Sequence, residues 1–395
     1  MNRAAPENAS QSRILLMLRD NGSLSRTAIA DATALPRAKI TIEIGKLIDN
    51  GLVEDAGPAL SRGGRRSTMV KLATDLRLLG VDVGATSVDV ALTDGELHIL
   101  RHASQPCDVK AGPEAVLGIV VSLAGKLRAD EGATSIAAAG IGVPGPVSFR
   151  EGTAVAPPLM PGWNRAPIRE LLSRELGCPV LVDNDVNIMA MGEMQVGVAK
   201  GTEDFLFVKV GTGIGCGVVL GGRLHRGVSG SAGDIGHIRV EDDGPACACG
   251  NLGCLEAYFG GAAIARQATA AAQANRSRVL AERLAIADRL TAVDVGTAAA
   301  AGDPVAVELV RAGAGRLGQV IAGLVSFANP GLVVIGGGLT ELGHTLLAEV
   351  RSVVYRRSPP LATENLAIVF SELGELAGVI GAARLASEIV FGVPT

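Results

Sequence analysis

The chain has 395 residues, of which 48% are hydrophobic and 19% are charged, and its formal net charge is −4. This length exceeds one ordinary core and the composition excludes a disordered or fibrous chain, so two or three folded domains are expected. The sequence has neither a secretory signal pattern nor an apolar run of membrane-spanning length, so we expect a cytoplasmic protein without a membrane partner.

The charge is distributed unevenly along the chain. Residues 1–75 carry 11 Lys or Arg against 8 Asp or Glu, so this head is basic and the remainder is acidic. A basic head permits contact with nucleic acid, although charge alone does not establish it.

The head has the pattern of three short helices. Residues 12–20 place apolar side chains on one helical face, and Asn21-Gly22 follows as a stop signal. Ser25 can cap a second helix. A third helix is predicted to begin near Pro36 and to end at Asn50-Gly51, a good C-terminal cap. The lengths and the tight second turn predict a helix-turn-helix.

Two strands are predicted directly after these helices, at 52–54 and 69–72. They flank the segment Arg62-Gly63-Gly64-Arg65-Arg66, whose glycines allow a tight tip from which arginines can reach DNA. The sequence therefore predicts a winged helix-turn-helix domain over residues 1–75, with double-stranded operator DNA as its partner.

The DNA contacts expected from this frame fall into three groups. In winged helix-turn-helix proteins, the start of the third helix contacts base edges and the start of the second contacts phosphates. Arginines of the wing can reach a phosphate or the minor groove. For any single arginine an ordinary solvated charge is the simpler interpretation, whereas the clustered set favours DNA binding. The predicted residues are Arg37, Lys39 and Thr41 on the third helix, Ser25, Arg26 and Thr27 on the second, and Arg62, Arg65 and Arg66 in the wing.

From about residue 78 the pattern changes to that of an α/β domain with buried sheets. Strands are predicted at 78–83, 88–92, 136–143, 180–182, 205–210, 216–220, 332–335 and 368–370, and helices at 113–128, 186–198, 303–328 and 375–390. Segments 80–92 and 207–220 share one plan, strand, Gly/Thr turn and strand, which predicts two related halves facing one cleft. Chance glycine-rich turns in a glycine-rich chain are the alternative.

Three of the six cysteines lie within one eight-residue segment. Cys247, Cys249 and Cys254, together with His237, offer three thiolates and an imidazole, which is the ligand set of a structural Zn²⁺. The alternative is three reduced thiols in a loop without metal. A catalytic zinc is disfavoured because four protein ligands leave no open position.

Residues 78–395 resemble the ROK family, whose name joins repressors, open reading frames and kinases. The motifs that carry the resemblance occur in family order: "GIGVPGPV" at 140–147, "DNDVN" at 183–187, "GTGIG" at 211–215, G-x-x-G-x-x-G-D-x-G-H at 227–237, C-x-C-G-x-x-G-C-x-E at 247–256 and "NPGLVVIGGGL" at 329–339. The resemblance implies an actin-like, duplicated ribonuclease-H-type fold. We expect an N-terminal lobe at 78–200 plus 375–395 and a C-terminal lobe with the zinc site at 201–374.

The resemblance also implies a sugar site. The positions that match are Asn184, Asp185, Asp234, His237 and Glu256. His237 would bind zinc through one ring nitrogen and sugar through the other, and Asp185 would be the general base if the protein is a kinase. An N-cap role for Asp185, opening the helix at 186–198, is compatible with both.

A phosphate and nucleotide site is implied by the same resemblance, with Mg-ATP as cofactor only if kinase activity is retained. The matching residues are Asp82, Gly84, Thr86, Gly211, Thr212, Gly213, Gly336 and Gly337. Four positions depart from the family pattern: Ala85 stands for Gly, Ser87 for Lys, Asp234 for Glu and Pro158 for Asn. These changes weaken the site for ATP without removing it.

A winged helix before a ROK domain resembles the repressor branch of the family. The expected function is therefore a DNA-binding regulator, with repression as the expected sign, which responds to a sugar or sugar phosphate. We expect a homodimer or homotetramer, because paired half-sites suit two-fold symmetry. The alternatives are an ATP-dependent hexose kinase, alone or combined with DNA binding, and a structural DNA-bridging protein with an inactive site.

Overall fold

The computed structural model describes residues 5–58, 68–133 and 135–392, and the chain folds into two compact units. The first comprises Met1–Gln195 and Gly378–Thr395, and the second Val196–Ala377. The predicted wing residues Arg62, Arg65 and Arg66 lie outside the described residues. Within the described part of the chain, no helix combines the length and apolarity needed to cross a membrane.

The elements alternate along the chain as an α/β pattern requires. The strands are β1 Leu24–Ser25, β2 Val53–Pro58, β3 Thr68–Leu72, β4 Leu78–Val83, β5 Ser87–Thr93, β6 Ile99–Pro106, β7 Ala138–Val143, β8 Val147–Ser148, β9 Thr153–Ala154, β10 Val180–Asn184, β11 Phe205–Val210, β12 Ile214–Leu220, β13 Arg223–Leu224, β14 Leu332–Gly336 and β15 Ala367–Phe370. The helices are α1 Ala9–Asn21, α2 Arg26–Thr33, α3 Arg37–Asp49, α4 Pro113–Asp130, α5 Ile168–Leu176, α6 Asp185–Val196, α7 Leu255–Phe259, α8 Gly261–Gln273, α9 Arg278–Ala287, α10 Ala292–Ala300, α11 Pro304–Ala328, α12 His344–Arg357, α13 Pro360–Thr363 and α14 Leu376–Phe391.

The head has the predicted three helices. Gly22, with φ +69°, ends α1, and the Ser25 side chain accepts a hydrogen bond from the backbone N–H of Ala28 to cap α2. Asn50 ends α3, as the sequence predicts. Strands β2 and β3 pair antiparallel, with Val53 opposite Leu72, and β1 joins them as a third strand.

The two units carry sheets of the same topology. In the first, the order is β6-β5-β4-β7-β10, and in the second it is β13-β12-β11-β14-β15. When the strands of each five-stranded sheet are numbered 1 to 5 in chain order, both sheets have the order 3-2-1-4-5. In both, neighbouring strands among 1 to 3 are antiparallel, and strands 4 and 5 are parallel to strand 1. The duplicated ribonuclease-H-type fold is thereby confirmed.

The head shares a core with the α/β lobe of the first unit. Ile14, Leu15 and Leu18 of α1 belong to the same buried cluster as Ala386 and Phe391 of α14. A side chain as large as Phe391, with no exposed surface, stabilises such a junction by about 3–5 kcal/mol relative to Ala. The head is therefore packed against the lobe and is not joined to it by a linker alone.

Candidate functional site

Asn184 and Asp185 lie where β10 ends and α6 begins. The Asn184 Oδ1 accepts hydrogen bonds from the backbone N–H of Val186 (2.8 Å) and of Asn187 (3.2 Å). Asn184 therefore caps α6, and Asp185 is already the first helical residue, so the alternative N-cap role for Asp185 falls to its neighbour. The capping bonds fix the Asn184 side chain in one orientation.

Asp185 is almost fully buried, with 4% of its surface exposed. Its Oδ1 accepts hydrogen bonds from the Val186 N–H and from Nδ2 of Asn184, both at 2.9 Å. A carboxylate at the first residue of a helix also lies at the positive end of the helix dipole. The side chain is thus held in place at the site where the family resemblance expects a general base.

The turn between β4 and β5 holds the predicted phosphate-binding residues of the first unit. The Gly84 N–H donates to the Ser87 carbonyl (2.8 Å), which closes the turn. Asp82 is buried against the first turn of α14, where a Cβ on Gly378 would lie 1.9 Å from the Asp82 Oδ2. Only glycine fits at position 378, and Asp82 is oriented by this contact. Ala85 packs its methyl group against the apolar core, and Thr86 is exposed.

A second carboxylate, missed by the sequence reasoning, stands beside Asp82. Asp89 is directly opposite Asp82 in the β4–β5 pair, so both side chains project from the same face of the sheet. Asp89 is buried, its Oδ2 accepts a hydrogen bond from the Ser87 hydroxyl (3.0 Å), and its Oδ1 is 3.4 Å from Nε2 of His102. The position of the family lysine is therefore occupied by a serine bonded to an additional acid.

The predicted nucleotide-binding loops of the second unit lie next to each other. The turn Gly211–Gly213 closes through the Gly211 N–H and the Gly213 carbonyl (3.0 Å), and a Cβ on Gly211 would lie 3.8 Å from the backbone nitrogen of Gly338. Thr212 is in the same turn. Gly337 has φ +90°, and a Cβ there would lie 2.6 Å from the Val210 carbonyl oxygen, whereas at Gly336 it would meet the Phe207 ring at 2.5 Å. Both positions require glycine.

Asp234, His237 and Glu256 form the polar set of the second unit. The Glu256 Oε2 accepts a hydrogen bond from the Ile214 N–H (3.0 Å), and His237 Nε2 is 4.0 Å from Asp234 Oδ1. Burial raises the pKa of Glu256 above its ordinary value, although the Ile214 N–H and His237 act in the opposite direction. The three side chains together offer the hydrogen-bond donors and acceptors that sugar hydroxyls require.

The four predicted metal ligands come together in the same unit. One ligand atom from each of His237, Cys247, Cys249 and Cys254 lies within 4.8 Å of all the others. Cys247 Sγ is 3.6 Å from His237 Nδ1, and Cys249 Sγ is 3.7 Å from Cys254 Sγ. A tetrahedral zinc with ordinary bond lengths separates its ligands by about 3.6–3.8 Å, so the four residues fit a zinc ion.

The loop backbone explains why the ligands meet. Gly250 has φ +91°, and Gly253 has φ +72° with its Cα so close to Glu241 that a Cβ would lie 1.7 Å from that carbonyl oxygen. Cys254 directly precedes α7, and Glu256 is in the first turn of this helix. A metal bound by Cys254 and His237 therefore also fixes two members of the polar set. By contrast, Cys216 is isolated, and burial raises its pKa to about 12.

The predicted DNA-contacting residues lie at the starts of α2 and α3. Arg37, Lys39 and Thr41 are exposed on α3, and the Thr41 hydroxyl donates to the Arg37 carbonyl (3.0 Å). On α2, Arg26 is held by an ion pair with Asp55 of β2 (3.1 Å). Ser25 uses its oxygen as the cap, and Thr27, the next residue but one, is half-buried.

A polar cluster, not predicted from the sequence, joins the head to the lobe. We call Arg19, Asp20, Gln195, Arg384 and Ser387 the junction cluster. Arg19 forms two bonds with the Asp20 carboxylate (2.8 and 3.1 Å) and donates to the Ser387 hydroxyl (3.1 Å). Gln195 donates to Asp20 (3.3 Å) and accepts from Arg384. Burial, together with the charge of Arg19, lowers the pKa of Arg384 to about 10.

Comparison with known proteins gives two kinds of relative. The ROK family model matches residues 78–389. A glucokinase of Streptomyces coelicolor is 34% identical over 318 residues, covering 78% of this chain and 97% of its own. The xylose repressor of Caldicellulosiruptor bescii is 28% identical over 387 residues and covers 96% of each chain. The crystal structure of a ROK family transcriptional regulator, a homolog of the E. coli MLC protein, superimposes with TM-score 0.81 at 26% identity over 96% of each chain.

Proposed function

The chain belongs to the ROK family, and on that premise we propose that it is a transcriptional repressor whose DNA binding responds to a sugar. The observation that carries the proposal is the head of three helices and three short strands, built into one core with the ROK lobe through α1 and α14. The repressor relative aligns over nearly the whole chain, head included, whereas the glucokinase aligns over 78% of it. A repressor acts where the DNA is, so the proposal places the protein in the cytoplasm.

The sugar is proposed to bind through the polar residues that the family motifs identify. Asn184 and Asp185, at the start of α6, are the proposed sugar residues of the first unit, and Asp234, His237 and Glu256 are those of the second. The ligand class is a hexose, a related sugar or its phosphate, because directed carboxylates, an amide and an imidazole suit hydroxyl groups. Switching requires the sugar to bind the DNA-competent and the released states with different affinity.

We propose a structural Zn²⁺ for the cluster of His237, Cys247, Cys249 and Cys254. A bound zinc supplies a rigid tetrahedral anchor and no reaction step, since its four ligands leave no open position. Its effect on function is through His237, whose Nδ1 faces Cys247 and whose Nε2 faces Asp234, and through Glu256. The operator is proposed to be bound by a homodimer or homotetramer, so that two heads read paired half-sites.

The test is selection of duplexes from a random library, followed by measurement of the Kd for the selected duplex by fluorescence anisotropy. We expect binding at least about 10³-fold tighter than to unrelated duplex at the same salt concentration. One sugar from a panel of hexoses, pentoses, N-acetylhexosamines and their phosphates should weaken it roughly 5–150-fold. Asp185→Asn should retain DNA affinity and lose the sugar response. A protein that prefers no duplex, with or without sugars, would contradict the proposal.

A sugar kinase is the second candidate, and one observation favours it. Asp185, the residue that matches the family's general base, is buried and held by two hydrogen bonds, and Asp82 is retained on β4. Two features argue against a kinase. Ser87 stands in place of a lysine, and the carboxylate of Asp89 beside it would repel the negatively charged phosphate oxygens of ATP. Sugar-dependent ADP release from Mg-ATP that disappears in Asp185→Asn would establish the kinase. A folded, zinc-loaded protein without such release would be a sensor only.

A further inference from the structure

The outward face of α3 carries an apolar side chain where a solvated helix would carry a polar one. Ile40, Ile44 and Leu47 have no exposed surface and pack into the core of the head. Ile42 points the other way and is 60% exposed, although it is of the same residue type as Ile40 and Ile44. Exposure of this side chain is not explained by packing within the described part of the chain.

The neighbours of Ile42 on that face leave it accessible. Ala38 and Gly45 lie at i−4 and i+3 and therefore on the same side of the helix. Ala38 is exposed, and a Cβ on Gly45 would have no heavy atom within 4 Å, so no contact within the protein requires glycine there. On this side Ile42 therefore has only small residues beside it, and a partner can approach closely.

The charges around this face identify the occupant as DNA. Lys39 and Lys46 lie at i−3 and i+4 from Ile42 and form a cationic row on its other side, although Lys46 also pairs with Glu7 (2.8 Å). An apolar side chain beside a cationic row matches the major groove, whose floor is formed by base edges and whose walls are phosphates. An apolar face intended for a second protein would not need this row of cations.

We propose that Ile42 is a specificity-determining residue that contacts the 5-methyl group of a thymine in the operator half-site. This inference rests on the proposed function as a DNA-binding repressor. The thymine methyl is the only apolar group that unmodified base pairs present in the major groove. Opposite any other base edge, Ile42 would cover a donor or acceptor without pairing it, which costs affinity. The operator therefore carries thymine at the position that meets the middle of α3.

The test replaces each thymine of the selected operator, one at a time, by deoxyuridine, which removes only the methyl group. Anisotropy should identify one thymine per half-site whose replacement weakens binding of the wild-type protein about fourfold, the effect of one buried methyl-sized group. In Ile42→Ala the same replacement should have no effect. Ile286→Ala, at an 80% exposed isoleucine on α9, is the matched control and should retain the wild-type profile.

The outcomes separate this inference from the proposed function. If the wild type and Ile42→Ala bind the operator specifically and respond to every deoxyuridine alike, the contact with thymine is wrong and the repressor stands. If Ile42→Ala leaves DNA binding unchanged and instead alters the molar mass in light scattering, the residue contacts protein and the inference is overturned. If the wild type selects no duplex, the proposed function itself fails.

Discussion

At the scale of single residues, the cysteines differ by their surroundings. Cys247, Cys249 and Cys254 lie with His237 at separations that suit one tetrahedral ion, whereas Cys107 is elsewhere and half-buried. A metal that binds the folded chain stabilises it by mass action. The folded state of this chain should therefore depend on zinc through His237 and the three clustered thiols, and not through Cys107.

We predict that Cys249→Ser loses bound zinc and that the matched variant Cys107→Ser does not. Elemental analysis of the purified wild type should give about one zinc per chain, and a chelator that removes it should lower Tm by several degrees. Because His237 and Glu256 are fixed by the same loop, Cys249→Ser should also weaken the sugar response. Equal zinc content in both serine variants would show that the cluster is not the metal site.

At the scale of elements, the sequence predicted the strands and helices whose apolar residues recur with a clear period, and it missed those without such a pattern. The buried strands of both sheets and the long helices α4, α6, α11 and α14 follow the predicted segments to within a few residues. Strand β6 was missed because it is an edge strand that is largely exposed and ends in Pro106, so it shows no apolar alternation. Short alanine-rich helices such as α8 and α10 were missed because alanine marks no face.

The candidate site divides in the same way. The ligands His237, Cys247, Cys249 and Cys254 follow from spacing, because chemistry fixes the residue types that a metal accepts. The Asp82–Asp89 pair could not be predicted, since it depends on the register of β5 against β4. Nor could the junction cluster, whose members Arg19 and Arg384 are far apart in the chain and meet only through tertiary packing.

The contact between α1 and α6 should depend on pH through Asp20. Burial alone would raise the pKa of Asp20, but the hydrogen bonds and charge of Arg19, with the charge of Arg384 and the bond from Gln195, outweigh it and hold the pKa below 3.8. A carboxyl whose pKa is lower in the folded state stabilises the fold at higher pH. This contribution is lost as the pH falls below 3.8 through the folded-state pKa.

We predict that Asp20→Asn lowers Tm by roughly 1–3 °C at pH 7, because the partly exposed ion pair with Arg19 is screened by solvent. The difference from the wild type should shrink as the pH falls below 3.8, where the wild-type carboxyl also becomes neutral. Asp242→Asn, at a 95% exposed side chain, is the control and should change little at any pH. A constant difference at all pH values would mean that Asp20 acts through packing and not through charge.

At the scale of the whole molecule, α6 connects the proposed sugar residues of the first unit to the head. Asn184 and Asp185 stand at its first turn, and Gln195, one residue before its end, bonds to Asp20 of α1 and to Arg384 of α14. With a rise of about 1.5 Å per residue, the two ends are about 15 Å apart along a rigid rod. A shift at Asp185 on sugar binding would therefore reach the junction cluster directly.

We predict that Gln195→Met, which keeps the side-chain length but removes both hydrogen bonds, uncouples the two sites. The operator Kd without sugar should stay within a few fold of the wild type, while the factor by which sugar weakens it should fall several-fold. Because coupling between two binding events is reciprocal, the factor by which operator DNA weakens sugar binding, measured by titration calorimetry, should fall equally. Gln319→Met, at an exposed position on α11, should leave both factors unchanged. If Gln195→Met keeps the full response in both directions, the signal reaches the head by another path, and the continuous core of α1 and α14 becomes the element to alter next.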